Sequence, residues 1–365
     1  MRYEPQNPLI VQSDHTLLLE TMGPLFKDVR DELVRFAELV KSPEYVHTYR
    51  VSPLSLWNAA ASGVSIDDVL ATLERWSKYD VPPNIPVHIR ETMGRYGRLQ
   101  LLQDDASGGL RLVASDPILM KEVIGSKAVQ PYIGPLIDER AVAITAANRG
   151  EIKQALLSIG HPVEDLAGYV TGEPLELGLA EGFAYRDYQT NAIEAFDKAG
   201  SGVIVLPCGA GKTIVGIGAI TALQTRTLIL CTNVTALRQW RDEMLEKTTL
   251  TKDDIAEYSG SSKTIGPVTL STYQMLTWRR SKDSEFEHFG LFQRANWGLV
   301  IYDEVHLLPA PVFRAVAHLQ ARRRLGLTAT LVREDGKQGE VFALIGPKRF
   351  DMPWKDLEHQ GWIAS

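Results

Sequence analysis

The sequence predicts an α/β protein: a doubly wound parallel sheet fills its second half, preceded by a mixed α+β region and a small α+β unit. Three observations point there. From about Gly182 onward, apolar β-rich runs alternate with helical stretches; a glycine loop joins the first such run to the first such helix; and no fixed-period repeat or low-complexity segment suggests a solenoid or linker instead. The runs are Gly202 to Leu206, Thr227 to Cys231, Pro267 to Leu270, Trp297 to Tyr302 and Arg324 to Leu327, and the helical stretches Lys212 to Leu223, Ala236 to Glu246 and Pro311 to Gln320. Strands apolar on both sides need a helical layer on each face.

Before that sheet, Pro24 to Val40 carries Leu25, Val29, Leu33, Phe36 and Val40 at a helical period, and Ile66 to Tyr79 repeats the pattern behind Ser65, whose hydroxyl can cap while Asp68 reaches back. Leu99 to Leu102 and Leu110 to Val113 flank Ser107-Gly108-Gly109, the pattern of a hairpin. Next, Ala141 to Thr145 reads as a strand and Asn148 to Ile159 as a helix that Gly160-His161-Pro162 ends. The expected division is 1–125 for the first region, 128–178 for the small unit, 179–357 for the parallel sheet and 358–365 for the start of a linker.

Composition narrows the class. At 365 residues and 44% apolar side chains, the chain suits two or three packed domains. No apolar run is long enough to cross a membrane, and Met1-Arg2-Tyr3-Glu4-Pro5 lacks the apolar stretch of a secretory leader, so a cytoplasmic protein is expected. The two cysteines, Cys208 and Cys231, have neither disulfide-framework nor zinc spacing. Net charge is −6, and the acidic excess falls in residues 1–180, leaving the second half close to neutral. A polyanion should therefore prefer the second half, held by placed groups and backbone amides rather than a broad basic face.

The chemistry concentrates in two places. Val203 to Leu206 feeds Pro207-Cys208-Gly209-Ala210-Gly211-Lys212-Thr213 and then a helix, the context a phosphate loop requires. Gly209 and Gly211 let successive N–H groups face inward, Lys212 neutralises β and γ phosphates, and the Thr213 hydroxyl suits a magnesium shell. The usual first glycine of that loop is Leu206 here. About 90 residues later, Gly298 to Tyr302 leads into Asp303-Glu304-Val305-His306. An apolar strand feeding two carboxylates places them at the carboxyl edge of the sheet, Asp303 suited to hold magnesium and Glu304 to act as general base on water.

These elements, with Leu327-Thr328-Ala329-Thr330 and Tyr185-Arg186-Asp187-Tyr188-Gln189, resemble the first RecA-like motor domain of a superfamily 2 helicase, and more closely the bacterial branch of the XPB family of DNA repair helicases. The finer resemblance rests on Pro207 to Thr213, on Asp303-Glu304-Val305-His306-Leu307-Leu308-Pro309-Ala310 and on Arg333-Glu334-Asp335; Tyr45 to Trp57 and Met93 to Leu102 are similar to the family's bacterial N-terminal domain. The resemblance covers essentially the whole chain. It implies ATP and Mg2+ as cofactors, with Arg186 and Gln189 joining the phosphate loop, Pro207 through Thr213, in nucleotide binding. His306, Thr328, Ala329 and Thr330 would couple the nucleotide to DNA. Thr232, Asn233, Ser271, Thr272 and Tyr273 would touch the nucleic-acid backbone, together with Arg333, Glu334 and Asp335, which are associated with separating strands. Residues 128–178 match the family's damage-recognition-like domain. Arg322-Arg323-Arg324 resembles a basic patch but enters an apolar strand, where edge packing is as good a reading.

The expected activity is ATP-driven 3′ to 5′ DNA unwinding or translocation in excision repair, on single-stranded or forked DNA. Because a second lobe supplies the family's phosphate-facing arginine, this chain alone is expected to hydrolyse poorly. Two other readings stay open: an RNA helicase or restriction-type translocase, and an ATP-switched binding module that recruits a nuclease or other repair partner.

Overall fold

The computed structural model describes residues 3–104, 108–281, 286–319, 322–330 and 338–352, and its strands form three sheets. The first contains β1 (Leu9–Val11), β2 (Thr16–Glu20), β3 (Glu38–Lys41) and β4 (Val46–Arg50) in the order β1-β2-β4-β3. Helices α1 (Phe26–Leu33), α2 (Pro53–Ala61), α3 (Ile66–Trp76) and α4 (Asn84–Met93) complete this unit, whose core runs from Leu9 to Met93. The Ser65 cap forms as its spacing predicts: Ser65 Oγ accepts from the Asp68 N–H at 3.1 Å and Asp68 Oδ2 from the Ser65 N–H at 3.0 Å.

The helical period read through Val40 does not hold to its end. Helix α1 stops at Leu33, Val34 to Ala37 close the last turn, and Glu38–Lys41 pairs antiparallel with β4. Leu39 and Val40 are exposed. The 3.6-residue spacing of Val40 with the helix is incidental, and the ladder offered by β4 decides the backbone.

The second sheet holds β5 (Leu99–Asp104), β6 (Gly109–Ala114), β7 (Leu136–Asp138), β8 (Ala141–Ile144) and β9 (Val163–Asp165), with α5 (Pro117–Gly125) and α6 (Arg149–Ser158) beside it. The hairpin β5–β6 forms as expected, yet it pairs onward with β8 and β9, and its apolar residues share one core with Ile152 and Leu156 of α6. A division near residues 125–128 therefore cuts this sheet. Pairing across such a sequence separation has no local signature, which is why the hairpin reads as part of the first region.

The third sheet is parallel throughout, ordered β12-β13-β11-β14-β15-β10-β16. After α7 (Asp187–Ala199), β10 (Ser201–Val205) and α8 (Lys212–Leu223) come β11 (Thr227–Cys231), α9 (Val234–Lys247), β12 (Ile255–Tyr258), β13 (Val268–Thr272), α10 (Tyr273–Leu276), β14 (Leu299–Asp303), α11 (Ala310–His318), β15 (Arg323–Thr328), α12 (Gln338–Leu344) and β16 (Lys348–Asp351). Alternate residues of one strand serve opposite cores. Ile204, Ile229 and Ile301 pack with α7, α8 and α9, while Val203, Leu228 and Val300 pack with α11 and α12. This is the doubly wound α/β fold that the apolar runs predict.

The first two units both rest on this sheet. Strand β16 lies at its edge, where the Lys348 N–H donates to Asn58 Oδ1 at 2.7 Å, the Lys348 carbonyl accepts from Ser62 Oγ at 2.8 Å, and Arg349 Nη1 reaches the Ala61 carbonyl at 3.0 Å. Leu157 of α6 packs into the core beneath α11 and α12. Arg324 is neither a surface patch nor at an edge, since β15 is flanked by β14 and β10; its buried guanidinium donates to the carbonyls of Leu344 and Leu319 at 2.7 and 3.3 Å. Among the described residues no helix is long and apolar enough to cross a membrane.

Helix α8 approaches α9 closely because Gly216 faces Trp240: a Cβ there would lie 2.2 Å from Trp240 Cη2. Gly216→Ala should destabilise the parallel-sheet unit by about 1–3 kcal/mol through overpacking against a rigid ring. Urea unfolding followed by tryptophan fluorescence reads this, and an unchanged midpoint would contradict the packing described.

Candidate nucleotide-binding site

Strand β10 ends at Val205, and the chain curls from Leu206 to Gly211 before α8 begins. Gly209 and Gly211 adopt φ of 80° and 78°, a left-handed region costly for residues with a Cβ. A Cβ at Gly211 would also meet Gln189 Nε2 at 2.6 Å. The curl leaves the N–H groups of Cys208, Gly209, Gly211, Lys212, Thr213 and Ile214 without an acceptor among the described residues, while that of Ala210 turns back to Pro207 O at 3.2 Å. Converging amides at a helix start suit an anion with several oxygens, so the donor set fits a phosphate chain. Leu206 occupies the position of the usual first glycine without conflict: it is buried, and its N–H donates to Thr328 O at 2.9 Å.

The second acidic element stands at the same edge. Asp303 is the last residue of β14 and pairs in register with Leu327, as Val205 does with Thr328. Glu304 has φ 50° and ψ 56°, an uncommon conformation for a glutamate that costs on the order of 1–2 kcal/mol. From there its carboxylate reaches Lys212 Nζ at 3.0 Å and His306 Nδ1 at 3.4 Å. Thr328 Oγ1 donates to Thr330 O at 2.5 Å and accepts from the Thr330 N–H at 3.1 Å. With the only hydroxyl proton so directed, the 2.7 Å contact between His306 Nδ1 and Thr328 Oγ1 is donated by the imidazole. Burial raises the Asp303 carboxyl above its usual range; the Trp240 Nε1–H, 3.1 Å from Oδ2, and Lys212 oppose that rise, whereas Glu304 adds to it.

The structure thus brings together Lys212, Asp303, Glu304, His306 and Thr328, with Ala329 and Thr330 alongside. Gln189 sits beneath the loop, where its amide accepts from the Arg186 N–H at 3.0 Å and donates to Ala210 O at 3.3 Å. The groups expected at the nucleic-acid backbone divide. Thr232 and Asn233 sit at the accessible end of β11, although Asn233 Oδ1 caps α9 by accepting from Ala236 N at 2.9 Å. Ser271 is buried and donates to Tyr258 O at 2.8 Å, Thr272 Oγ1 caps α10, and buried Tyr273 donates to Asp303 O at 2.8 Å. Ser271 and Tyr273 are therefore internal braces rather than surface contacts: a hydroxyl at a strand end can serve a carbonyl as well as a phosphate. Arg333, Glu334 and Asp335 lie outside the described residues.

Two contributors escape the sequence reading. Tyr188 donates from its hydroxyl to Ala210 O at 2.7 Å, and Trp240 orients Asp303. A tryptophan on the buried face of an amphipathic helix signals only that its N–H needs some partner; which partner depends on the fold.

Two family models match the chain: one described as "Helicase conserved C-terminal domain" over residues 9–138 and one described as "Type III restriction enzyme, res subunit" over residues 182–333. Over 98% of its length the chain is 55% identical to "DNA 3'-5' helicase XPB" of Kineococcus radiotolerans and 54% identical to the protein of the same name from Mycobacterium tuberculosis, covering 64% and 65% of those proteins. Along nearly its whole length the chain is similar to these XPB proteins. A more distant XPB relative, "General transcription and DNA repair factor IIH helicase/translocase subunit XPB" of Antonospora locustae, is 34% identical over 98% of the chain and 54% of that protein. The chain thus spans a little under two thirds of its bacterial XPB relatives.

In this site Thr328 is the shared partner of an imidazole and a backbone amide. Thr328→Val should take the Thr328 acceptor from the Thr330 amide and leave His306 Nδ1 the longer 3.4 Å contact to Glu304, at a cost of about 1–3 kcal/mol, and should speed hydrogen exchange at the Thr330 amide. Exchange at an unchanged rate would contradict the hydrogen-bond arrangement.

Proposed function

We propose that the chain carries the nucleotide site of an ATP-driven, 3′ to 5′ DNA helicase or translocase of the XPB type, acting in DNA repair. The observation that carries this reading is the 3.0 Å ion pair between Lys212 and Glu304. It joins the phosphate-loop ammonium to the carboxylate after Asp303 at the carboxyl edge of a parallel sheet, where such sheets hold ligands.

On this reading, the amides from Cys208 to Ile214 and the Lys212 ammonium hold the phosphate chain of ATP. The Thr213 hydroxyl and Asp303 hold Mg2+, which when bound neutralises phosphate charge. In the ligand-free chain Glu304 is held by Lys212. Once phosphate oxygens compete for that ammonium, Glu304 is released to take the proton of the attacking water as general base. His306, hydrogen-bonded to Thr328 and close to Glu304, can pass the change to Ala329 and Thr330. Gln189 and Arg186 are the proposed adenine contacts, and because Gln189 also bonds Ala210, reading the base would adjust the loop. Thr232 and Asn233 are the proposed contacts to the DNA backbone, which fix position without reading sequence.

ATP hydrolysis measured with single-stranded DNA, forked DNA and RNA tests the proposal. DNA should stimulate turnover more than RNA, and Lys212→Ala should abolish nucleotide binding. Glu304→Gln should keep binding but lose about 10²-fold or more in turnover. Stimulation by RNA alone, or an unaffected Lys212→Ala protein, would overturn the reading.

A pH dependence follows from Asp303. A carboxyl with a raised pKa takes up its proton at milder acidity than an ordinary one; this uptake does not harm the ligand-free fold but removes the anion a divalent cation needs. Nucleotide affinity in magnesium should begin to fall on acidification at a higher pH than an ordinary aspartate would cause, and more steeply than in EDTA. Asp303→Asn should remove that difference; persistence of the difference in the variant would assign the titration elsewhere.

A further inference from the structure

Away from the nucleotide site, buried positive charge gathers where the three units meet. Arg149 and Lys153 of α6 and Arg324 of β15 are all buried. One carboxylate, Asp165 of β9, serves the first two, with Arg149 Nη2 at 2.7 Å and Lys153 Nζ at 2.8 Å. Arg149, Arg323 and Arg324 stand 5.6, 5.8 and 5.7 Å from the ring of Tyr169, whose hydroxyl bonds Ser201 Oγ at 2.5 Å. One carboxylate shared by two buried cations leaves Arg149 and Lys153 with a net positive charge, which is costly unless a further anion is supplied.

Beside this cluster is a cavity of about 530 Å³ with walls from all three units. Ser201, in its lining, begins β10, so the cavity lies at the sheet edge opposite the phosphate loop. Its cations are Lys153, Lys198 and Arg349, and its acids are Asp165 and Glu164. Glu164 Oε2 already accepts from Gln100 Nε2 at 2.9 Å. The donors, by contrast, are under-used. Among the described residues the Lys153 ammonium makes one hydrogen bond, to Asp165. Among the same residues Arg349 donates Nε to Ser201 O and Nη1 to Ala61 O, Nη2 finds no acceptor, and the Tyr96 hydroxyl makes no hydrogen bond. Burial also lowers the Lys153 ammonium to about 8 despite the opposing pull of Asp165, as expected of a cation short of counter-charge.

We propose that this junction cavity is a second ligand site, which binds a small phosphate or phosphomonoester through Lys153, Lys198, Arg349 and Tyr96. A tetrahedral oxyanion offers several acceptors to convergent donors and supplies the missing negative charge. Bound there, it would tie α6, β16 and the segment after α4 to one another, far from the ATP-binding edge.

Isothermal titration calorimetry with inorganic phosphate and with AMP tests this, using Lys212→Ala protein in EDTA so that the phosphate loop contributes little. Saturable binding to one site is expected. It should weaken at least about fivefold in Tyr96→Phe and Lys198→Gln and at least about tenfold in Lys153→Met; the first two changes are mild enough to keep the fold, as circular dichroism verifies. Equal affinity for both probes identifies phosphate as the recognised group, and tighter AMP binding identifies the ester. Absence of saturable binding by either probe, or binding indifferent to Tyr96→Phe and Lys198→Gln, overturns the proposal. So does single-stranded DNA binding that weakens in these variants while neither probe binds, since it would assign the cations to a nucleic-acid backbone.

Discussion

Parallel pairing of β14, β15 and β10 in one register is the constraint on which the candidate nucleotide site depends. It sets Asp303 beside Leu327 and Thr328 beside Val205, so three chain segments far apart in sequence end level at one edge. The Leu206 N–H extends the ladder one step further, onto Thr328 O. A slip of one residue would send alternate side chains to the opposite face. Lys212 and Glu304 would then no longer meet, and Trp240 would no longer find Asp303. The apolar runs that hold the sheet between two helical layers thus also fix the position of its polar ends.

That dependence explains what could be read from residues alone. Thr227–Cys231 and Lys212–Leu223 are legible to the residue, because strands covered on both faces are apolar throughout and a glycine loop marks the helix start. Strand β16, Lys-Arg-Phe-Asp, has no such pattern and exists because β10 offers it a partner. The same holds for β3 and for the onward pairing of the β5–β6 hairpin. At the site, the phosphate loop and the acidic pair are contiguous motifs whose chemistry needs those residue types in that order. Ser271 and Tyr273 show the limit: their side chains have local alternatives that only tertiary contacts choose between. Trp240 shows the converse, an important neighbour with no motif.

Strand β15 is the physical link between the two polar regions of the molecule. It begins at the amino edge, with Arg324 bonded to carbonyls among the helices and close to Tyr169, and ends at Thr328 beneath the phosphate loop. Its interior residues are buried throughout. One strand thus runs from the segment around Tyr169 to the edge that carries Thr328 without any loop between them.

The contacts of α2 with β16 carry a different implication. Outer strands of open sheets display bare amides and carbonyls that recruit foreign strands, and here Asn58 and Ser62 occupy both polar groups of Lys348 while Arg349 is tethered to Ala61. The amino-terminal unit is thus a guard rail for the sheet as well as a neighbour. Excising the parallel-sheet unit by cutting the chain after the second sheet would strip that cover, and such a fragment would inherit a sticky margin prone to pairing with copies of itself.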